Sequence, residues 1–523
     1  MSPDSVSRRA VLQATAAAAV TAALPGCSGD RRKEATDAAS TIARPPTATS
    51  SNPTGSSPTG SSSTRPGTSS VSGPGRADWR ALAASLDGRV VRRFASDYDE
   101  VKGLFNPRFD RAQPRAVIEA ANAEDVAETI RFGQRFGLRS RPRSGGHSYV
   151  GASTADDGLM IDVRRMHRVG YDAASGIATV GAGAQLYSAH AALAVHSRSI
   201  PTGTCPTVGA AGLTLGGGVG VDSRRHGLTC DALTGLTMVT ADGTTRHVDA
   251  ERDRDLWWAS LGGGGGNFGV VTSFRYSTHA ARPMGVFLLS FPWDRAPAVL
   301  RGWARRVRVM PRSVWCNAKL EASSDGSTRV RVVGVCAVGD QGAQAAALER
   351  AVGVDPTSVS TFEQSFMDGV RYFGGGTTSA RTAFAAGSDV IATMSPDLSR
   401  RLAQVIVGRA ANGGSGVVIL DPLTGAVSDQ AVGATAFPWR RHVADLQWYV
   451  GLPLRPSVTQ VRAAQAWISS AHRAIAAESV GAYVNYVEPD RRIGAYYGPN
   501  LARLRRVKAA VDPSGFFRSA YTV

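Results

Sequence analysis

Lysine is scarce in this chain of 523 residues. Of its 59 basic residues only Lys33, Lys102, Lys319 and Lys508 are Lys, and the rest are Arg spread along the chain with few dense runs. A net charge of +17 would suit a phosphate backbone. Nucleic-acid binding, however, asks for clustered Lys/Arg with interleaved aromatics, and that clustering is missing. Cysteine is scarce too: Cys27, Cys205, Cys230, Cys316 and Cys336 include no CxxC and no paired metal spacing, so no zinc or other metal site is expected. Cys316 and Cys336 flank Asp325-Gly326 almost symmetrically, between strand-like runs. Either a hairpin pairs them in a disulfide, or they are two buried free thiols. There is no internal repeat, and the apolar stretch 14–24 is too short for a permanent membrane span.

What is present begins with a leader. Ser7-Arg8-Arg9-Ala10-Val11-Leu12-Gln13 is a twin-arginine pattern, and Leu24-Pro25-Gly26-Cys27 resembles a bacterial lipoprotein cleavage box. Residues 1–26 are therefore expected to be an export signal that carries an already folded protein out of the cytoplasm. The product is then either anchored by lipid at Cys27 or cleaved and secreted. Residues 27–77 are Ser, Thr, Pro and Gly with almost no large apolar side chains, a composition that cannot offset its ordering entropy. They read as a tether.

From Asp78 the chain has the pattern of a folded protein long enough for two or three domains. Helical spacing of Val126, Ile130 and Phe136 behind an acidic first turn predicts a helix over 125–137. A basic strand over 138–143 leads into a glycine turn. Strands are expected at 159–163 and 177–180, and a hairpin over 236–248 around Ala241-Asp242-Gly243. Further on, 287–291, 314–322, 329–337 and 415–420 read as strands, with helices over 341–352 and 458–478 covering one face. The class is α+β.

Three glycine-rich turns carry the chemistry: Arg143-Ser144-Gly145-Gly146-His147-Ser148, Gly216-Gly217-Gly218-Val219-Gly220, and 262–266 followed by Asn267-Phe268-Gly269. Glycine lets backbone approach a phosphate closely, and successive N–H groups then form an anion-binding concavity. Three such turns suggest a cradle for an extended dinucleotide. Residues 264–269 satisfy GxGxxG, but a helix-like run precedes them and a strand-like run follows. That is the reverse of the Rossmann order, and it excludes that reading.

Arg143-Ser-Gly-Gly-His147-Ser-Tyr149-Val-Gly151 resembles the flavin-attachment loop of the berberine-bridge-enzyme-like FAD-linked oxidases, which belong to the vanillyl-alcohol-oxidase type of flavoprotein. Gly203-Thr204-Cys205-Pro206, running through Gly209 and Gly212 to Gly220, resembles their second attachment segment. Tyr483-Val484-Asn485-Tyr486, Tyr496-Tyr497-Gly498-Pro499-Asn500 and Val507-Lys508 resemble their C-terminal motifs. The likeness runs from about Phe94 to Val523 and is thin between 283 and 422. It implies a two-part PCMH-type FAD-binding domain over 78–278, an antiparallel-sheet substrate domain covered by helices over 279–478, and a C-terminal segment, 479–523, that returns to the first domain.

The resemblance further implies that FAD is bonded twice, His147 to the flavin 8α-methyl carbon and Cys205 to C6. The bonding groups are an imidazole nitrogen and a thiolate, the reactive form of Cys. Around FAD it places Arg143, Ser144, Gly145, Gly146 and Ser148; Gly209, Gly212, Gly216, Gly217, Gly218 and Gly220; Gly266, Asn267, Gly269 and Val270; and Asn485. Hydride leaves a CH–OH group for the flavin while a base takes the hydroxyl proton. Tyr486 is the expected base, with its pKa lowered by the site, and Tyr483 is the second choice. Gln447 is expected to face the ring, and Asp421 to orient the base or a substrate hydroxyl. Trp439 stands where the family usually has His, and is expected on the substrate-side wall. Expected substrates are sugars, oligosaccharides or polycyclic metabolites, with O2 as acceptor giving H2O2. The alternatives are a dehydrogenase serving an envelope electron carrier and a catalytically silent flavin-binding envelope protein.

Overall fold

A computed structural model describes residues 73–376, 381–519 and 521–523. The twin-arginine pattern, the Cys27 box and the tether as far as residue 72 lie outside the described residues. Helix Arg76–Ala84 opens the described chain and buries Trp79 and Leu82.

The helix expected at 125–137 is Ala123–Arg135. It starts early because the Asn122 side chain accepts from the Asp125 N–H at 2.9 Å and caps the first turn. The basic strand is Ser140–Arg143, parallel to Leu159–Asp162. That strand runs parallel to Ala116–Glu119, which pairs antiparallel with Arg89–Arg92. A second sheet, of five antiparallel strands, is ordered Val169–Asp172, Ile177–Gly181, Val270–Ser277, Leu233–Val239 and Thr245–Val248. Its last two strands are the expected hairpin, closed by Thr240 N–H on the Thr244 carbonyl. One apolar core joins the two sheets, with Ile161, Val180 and Phe274 fully buried, and Tyr496, Tyr497, Leu504 and Phe517 from the C-terminal segment enter it.

The third sheet has eight strands, all antiparallel: Ser358–Gln364, Met284–Phe291, Thr328–Cys336, Trp315–Ala322, Gly416–Pro422, Ala444–Leu452, Ala383–Ile391 and Ser479–Gly481. Side chains alternate across a strand, and this sheet uses both faces. Cys316, Ala318, Leu320, Leu446 and Trp448 face a core shared with helices Ala296–Val309, Gln341–Val352, Pro396–Ala411 and Val458–Ala474. Trp315, Asn317, Ile419, Asp421 and Gln447 face the other way and line a cavity. Among the described residues no helix is long and apolar enough to cross a membrane.

Register decides the cysteine question. Cys316 lies opposite Gly334, and Cys336 lies opposite Gly285 on the next strand. Both thiols are free and buried, so there is no disulfide between them. The near symmetry about Asp325-Gly326 is off by two residues, because Ala322 pairs with Thr328.

Trp439 also departs from expectation. Its indole donates to the Ala482 carbonyl at 2.8 Å, it is 5% exposed in the first core, and it fills the space left by Gly481, where a Cβ would meet it at 2.1 Å. It is a packing residue rather than part of a substrate wall. The neighbouring Arg440 is fully buried and forms a two-pronged pair with Asp231.

Candidate active site

The three glycine segments, the polar face of the eight-stranded sheet and the C-terminal segment converge on one cavity of about 280 Å³. His147 and Cys205 both line it, as do Gly145, Gly146, Gly209, Gly212, Gly220, Gly266 and Gly269. The first two segments touch backbone to backbone. A Cβ on Gly145 would lie 2.3 Å from the Gly209 nitrogen, and one on Gly209 would lie 2.0 Å from Ser144 Oγ. No other residue fits either position, which explains why both turns are glycine. Ser144 Oγ donates to the Ala182 carbonyl at 2.6 Å, and Ser148 Oγ accepts from the Ala152 N–H at 3.1 Å; these hydroxyls hold the loop.

Gly216, Gly217 and Gly218 do not line the cavity. Gly216 leaves room for Asn485, whose Oδ1 a Cβ would approach to 2.0 Å, and Gly217 makes room for the Phe437 ring. Gly218 donates its N–H to the Tyr483 hydroxyl at 2.8 Å. This turn receives the C-terminal segment instead of a phosphate. Arg143 borders the cavity; its two terminal nitrogens are held by the Val101 and Gly103 carbonyls and by Asp162, while its buried Nε has no partner among the described residues. A second basic group here is Arg141, which sequence reasoning passed by. It lines the cavity, and its buried Nε has no partner among the described residues.

These features fit FAD. Gly212 lines the cavity, and a Cβ there would meet no protein atom within 4 Å, so that backbone faces open space. The orphaned Arg141 Nε suits a phosphate oxygen. Asn267 holds the third turn through its bond to the Gly263 carbonyl at 2.9 Å, and Lys508 Nζ donates to the Asn267 carbonyl at 2.5 Å. Val270, the first residue of the strand that follows, borders the same space.

His147 stacks on Phe105 at 3.7 Å, and its Nε2 is bonded to Thr207 Oγ1 at 2.9 Å. Burial pushes its pKa down to about 3, so the ring is neutral. With Nε2 engaged, Nδ1 is the nitrogen left for chemistry.

The same cavity is lined by the expected acid–base residues. Tyr486 stacks on Tyr149 at 5.1 Å and 9° and meets Tyr483 edge-on. Tyr149 is hydrogen-bonded to Gln447 and edge-on to Phe384. It belongs to the site although only its motif, and not its position, had singled it out. Tyr483 is a brace: its hydroxyl accepts from the Gly218 N–H and from Asn485 Nδ2, each at 2.8 Å, and Asn485 Nδ2 also donates to the Leu213 carbonyl at 3.0 Å. The expectation of a lowered tyrosine pKa is reversed. Desolvation raises Tyr486 well above its ordinary value, and Tyr149, Asp421 and Asp445 add to the effect. Burial also pushes Asp421 up to about 6, against the bond from Asn317 Nδ2 and the charge of Lys319. At neutral pH the negative charge therefore rests on Asp421, and the phenol keeps its proton. Trp315 and Phe373 form an aromatic wall, edge to face at 6.0 Å.

Residues 114–249 match the family model for an FAD binding domain, and 482–523 match the model described as berberine and berberine like. An uncharacterized FAD-linked oxidoreductase of Bacillus subtilis is 30% identical over 83% of this chain and 96% of its own length. The xylooligosaccharide oxidase of Thermothelomyces thermophilus is 30% identical over 82% and 90%. Among solved structures, a chitooligosaccharide oxidase superposes with a TM-score of 0.77 at 25% identity over 85% of this chain and 98% of its own. An FAD-type cradle built from the expected glycine turns, the tyrosine-bearing C-terminal segment and these whole-length likenesses agree: the chain belongs to the berberine-bridge-enzyme-like FAD-linked oxidoreductases.

Proposed function

We propose that this protein oxidises a CH–OH group of a sugar or oligosaccharide, with FAD attached covalently through His147 and Cys205, with O2 as acceptor and H2O2 as product, outside the cytoplasm. The observation that supports the reading is that His147, Cys205, Tyr486, Asp421 and Gln447 all line a single cavity. Bound FAD supplies the hydride acceptor. The aromatic wall of Trp315 and Phe373 suits the apolar face of a pyranose ring, and the names of the related oligosaccharide oxidases support that class.

Within the chain, Tyr486 takes the substrate hydroxyl proton as it yields its own toward Asp421, so that no free phenolate is needed beforehand. Gln447 fixes Tyr149 under the Tyr486 ring. Thr207 orients His147 and leaves Nδ1 for attachment. Cys205 supplies the second attachment. The leader points to export by the twin-arginine route, followed either by lipid anchoring at Cys27 or by cleavage and secretion.

The test is peroxide release by purified holoprotein offered mono- and oligosaccharides and polycyclic alcohols, beside acid denaturation to ask whether flavin stays on the chain. Dye reduction without peroxide would make it a dehydrogenase. Folded flavoprotein that oxidises nothing in the panel would sink the oxidase reading. Flavin released in full from denatured protein would sink the covalent one.

A further inference from the structure

Asp445 is a buried carboxyl with no visible occupation. It sits on strand Ala444–Leu452, directly opposite Asp421 on Gly416–Pro422. Side chains opposed across an antiparallel pair have their Cβ atoms about 4.5–5.5 Å apart. The two acids therefore face each other on the cavity side of the sheet. Asp445 is 2% exposed, and neither of its oxygens has a hydrogen-bond partner among the described residues.

The groups around the pair leave Asp445 no counter-ion. On the next strand Val390 is its register partner, and the neighbouring Asp389, on the other face of the sheet, is already bonded to His472, Ser479, Arg491 and the Trp448 indole. Arg491, whose charge reaches it, is spent on Asp389, Glu488 and the Ser388 and Gly481 carbonyls. Lys319 and Asn317 lie toward Asp421. Tyr149, Tyr483 and Tyr486 cover the pair from the cavity side. An ionised carboxylate without cation or donor in such a place is untenable, and two like charges so close cannot both persist.

We propose that Asp445 is a positioning residue that keeps its proton at neutral pH and donates it in a hydrogen bond to the Asp421 carboxylate, holding Asp421 ready to receive the Tyr486 proton. Desolvation together with the charges of Asp421 and Asp389 drives Asp445 in the same direction, well above the ordinary carboxyl range. No atom is gained or lost in this arrangement: one proton is shared by two carboxyls, and the second ionisation of the pair is postponed to high pH.

The proposal rests on the oxidase reading only for its kinetic half. Infrared difference spectra of the holoprotein, wild type against Asp445→Asn, test the protonation directly. The expected result is loss of a protonated-carboxyl band at neutral pH; absence of such a band from the wild type overturns the proposal whatever the substrate proves to be. In kinetics, Asp445→Asn keeps a donor to Asp421 and should leave the acid limb of kcat/KM in place. Asp445→Leu removes the donor and should move that limb up by about one pH unit with KM nearly unchanged. If both variants lose stability and neither moves the limb, Asp445 is a packing residue and the proposal fails. If the band is present but no substrate is turned over, the oxidase reading fails and the proton assignment stands.

Discussion

Asp421 and Thr207 are single side chains whose changes have calculable directions. Asp421, with a pKa of about 6, must be ionised to receive a proton. Activity should therefore be full above that value and fall as pH drops through it, and Asp421→Asn should abolish this limb and lower kcat by about 10²–10⁴-fold. A pH–rate profile of both proteins decides it. Thr207 gives His147 the partner for Nε2. Thr207→Val should leave FAD binding intact but cut the fraction that survives denaturation through the histidine, read from in-gel flavin fluorescence in a Cys205→Ala background. Much at this scale was legible from the sequence: His147, Cys205, Tyr486, Gln447 and Asp421 all reach one cavity. Arg141, Thr207 and Asp445 were not, because what marks them is a partner held or missing across space. The direction of the tyrosine shift was misread for the same reason, since burial cannot be seen in a motif.

At the scale of elements, the glycine segments divide into those that touch the chain and those that face the cavity. Gly209→Ala would drive a methyl group into Ser144 Oγ and the Gly145 nitrogen, and should cost about 1–3 kcal/mol as an overpacked contact. Gly212→Ala meets no protein atom and should leave the melting temperature of the flavin-free protein unchanged while weakening FAD retention. Calorimetry with a flavin titration separates the two. The strands and helices were readable where their period was strong: the helix Gln341–Val352 lies at its expected bounds, and the hairpin around Gly243 closes as expected. The Gly216–Gly218 turn was assigned to phosphate because its composition is the same as that of a cradle, whereas Asn485, Phe437 and Tyr483 are what it receives.

Across the whole molecule, a charged hub ties the C-terminal segment to the eight-stranded sheet. His472 bridges Asp389 and Glu488 at 2.6 Å each, with Arg491 beside them. The two carboxylates raise His472 to about 9 from an unfolded value of 6.5. Its contribution to stability is therefore complete below pH 6.5 and is lost as pH rises through 9. Melting temperature should decline over that alkaline window in the wild type and decline less in His472→Gln. Lys508, nearby in sequence to the tyrosine motif, reaches from helix Leu501–Val511 to the Asn267 and Phe517 carbonyls and Asp512. That single ammonium clamps the third glycine turn from a helix more than 200 residues further along the chain. A ribosome-bound intermediate lacking these residues would have both attachment loops but no closed pocket and no Tyr486. Cofactor capture should therefore wait on this segment, and a chain cut before residue 482 should emerge colourless.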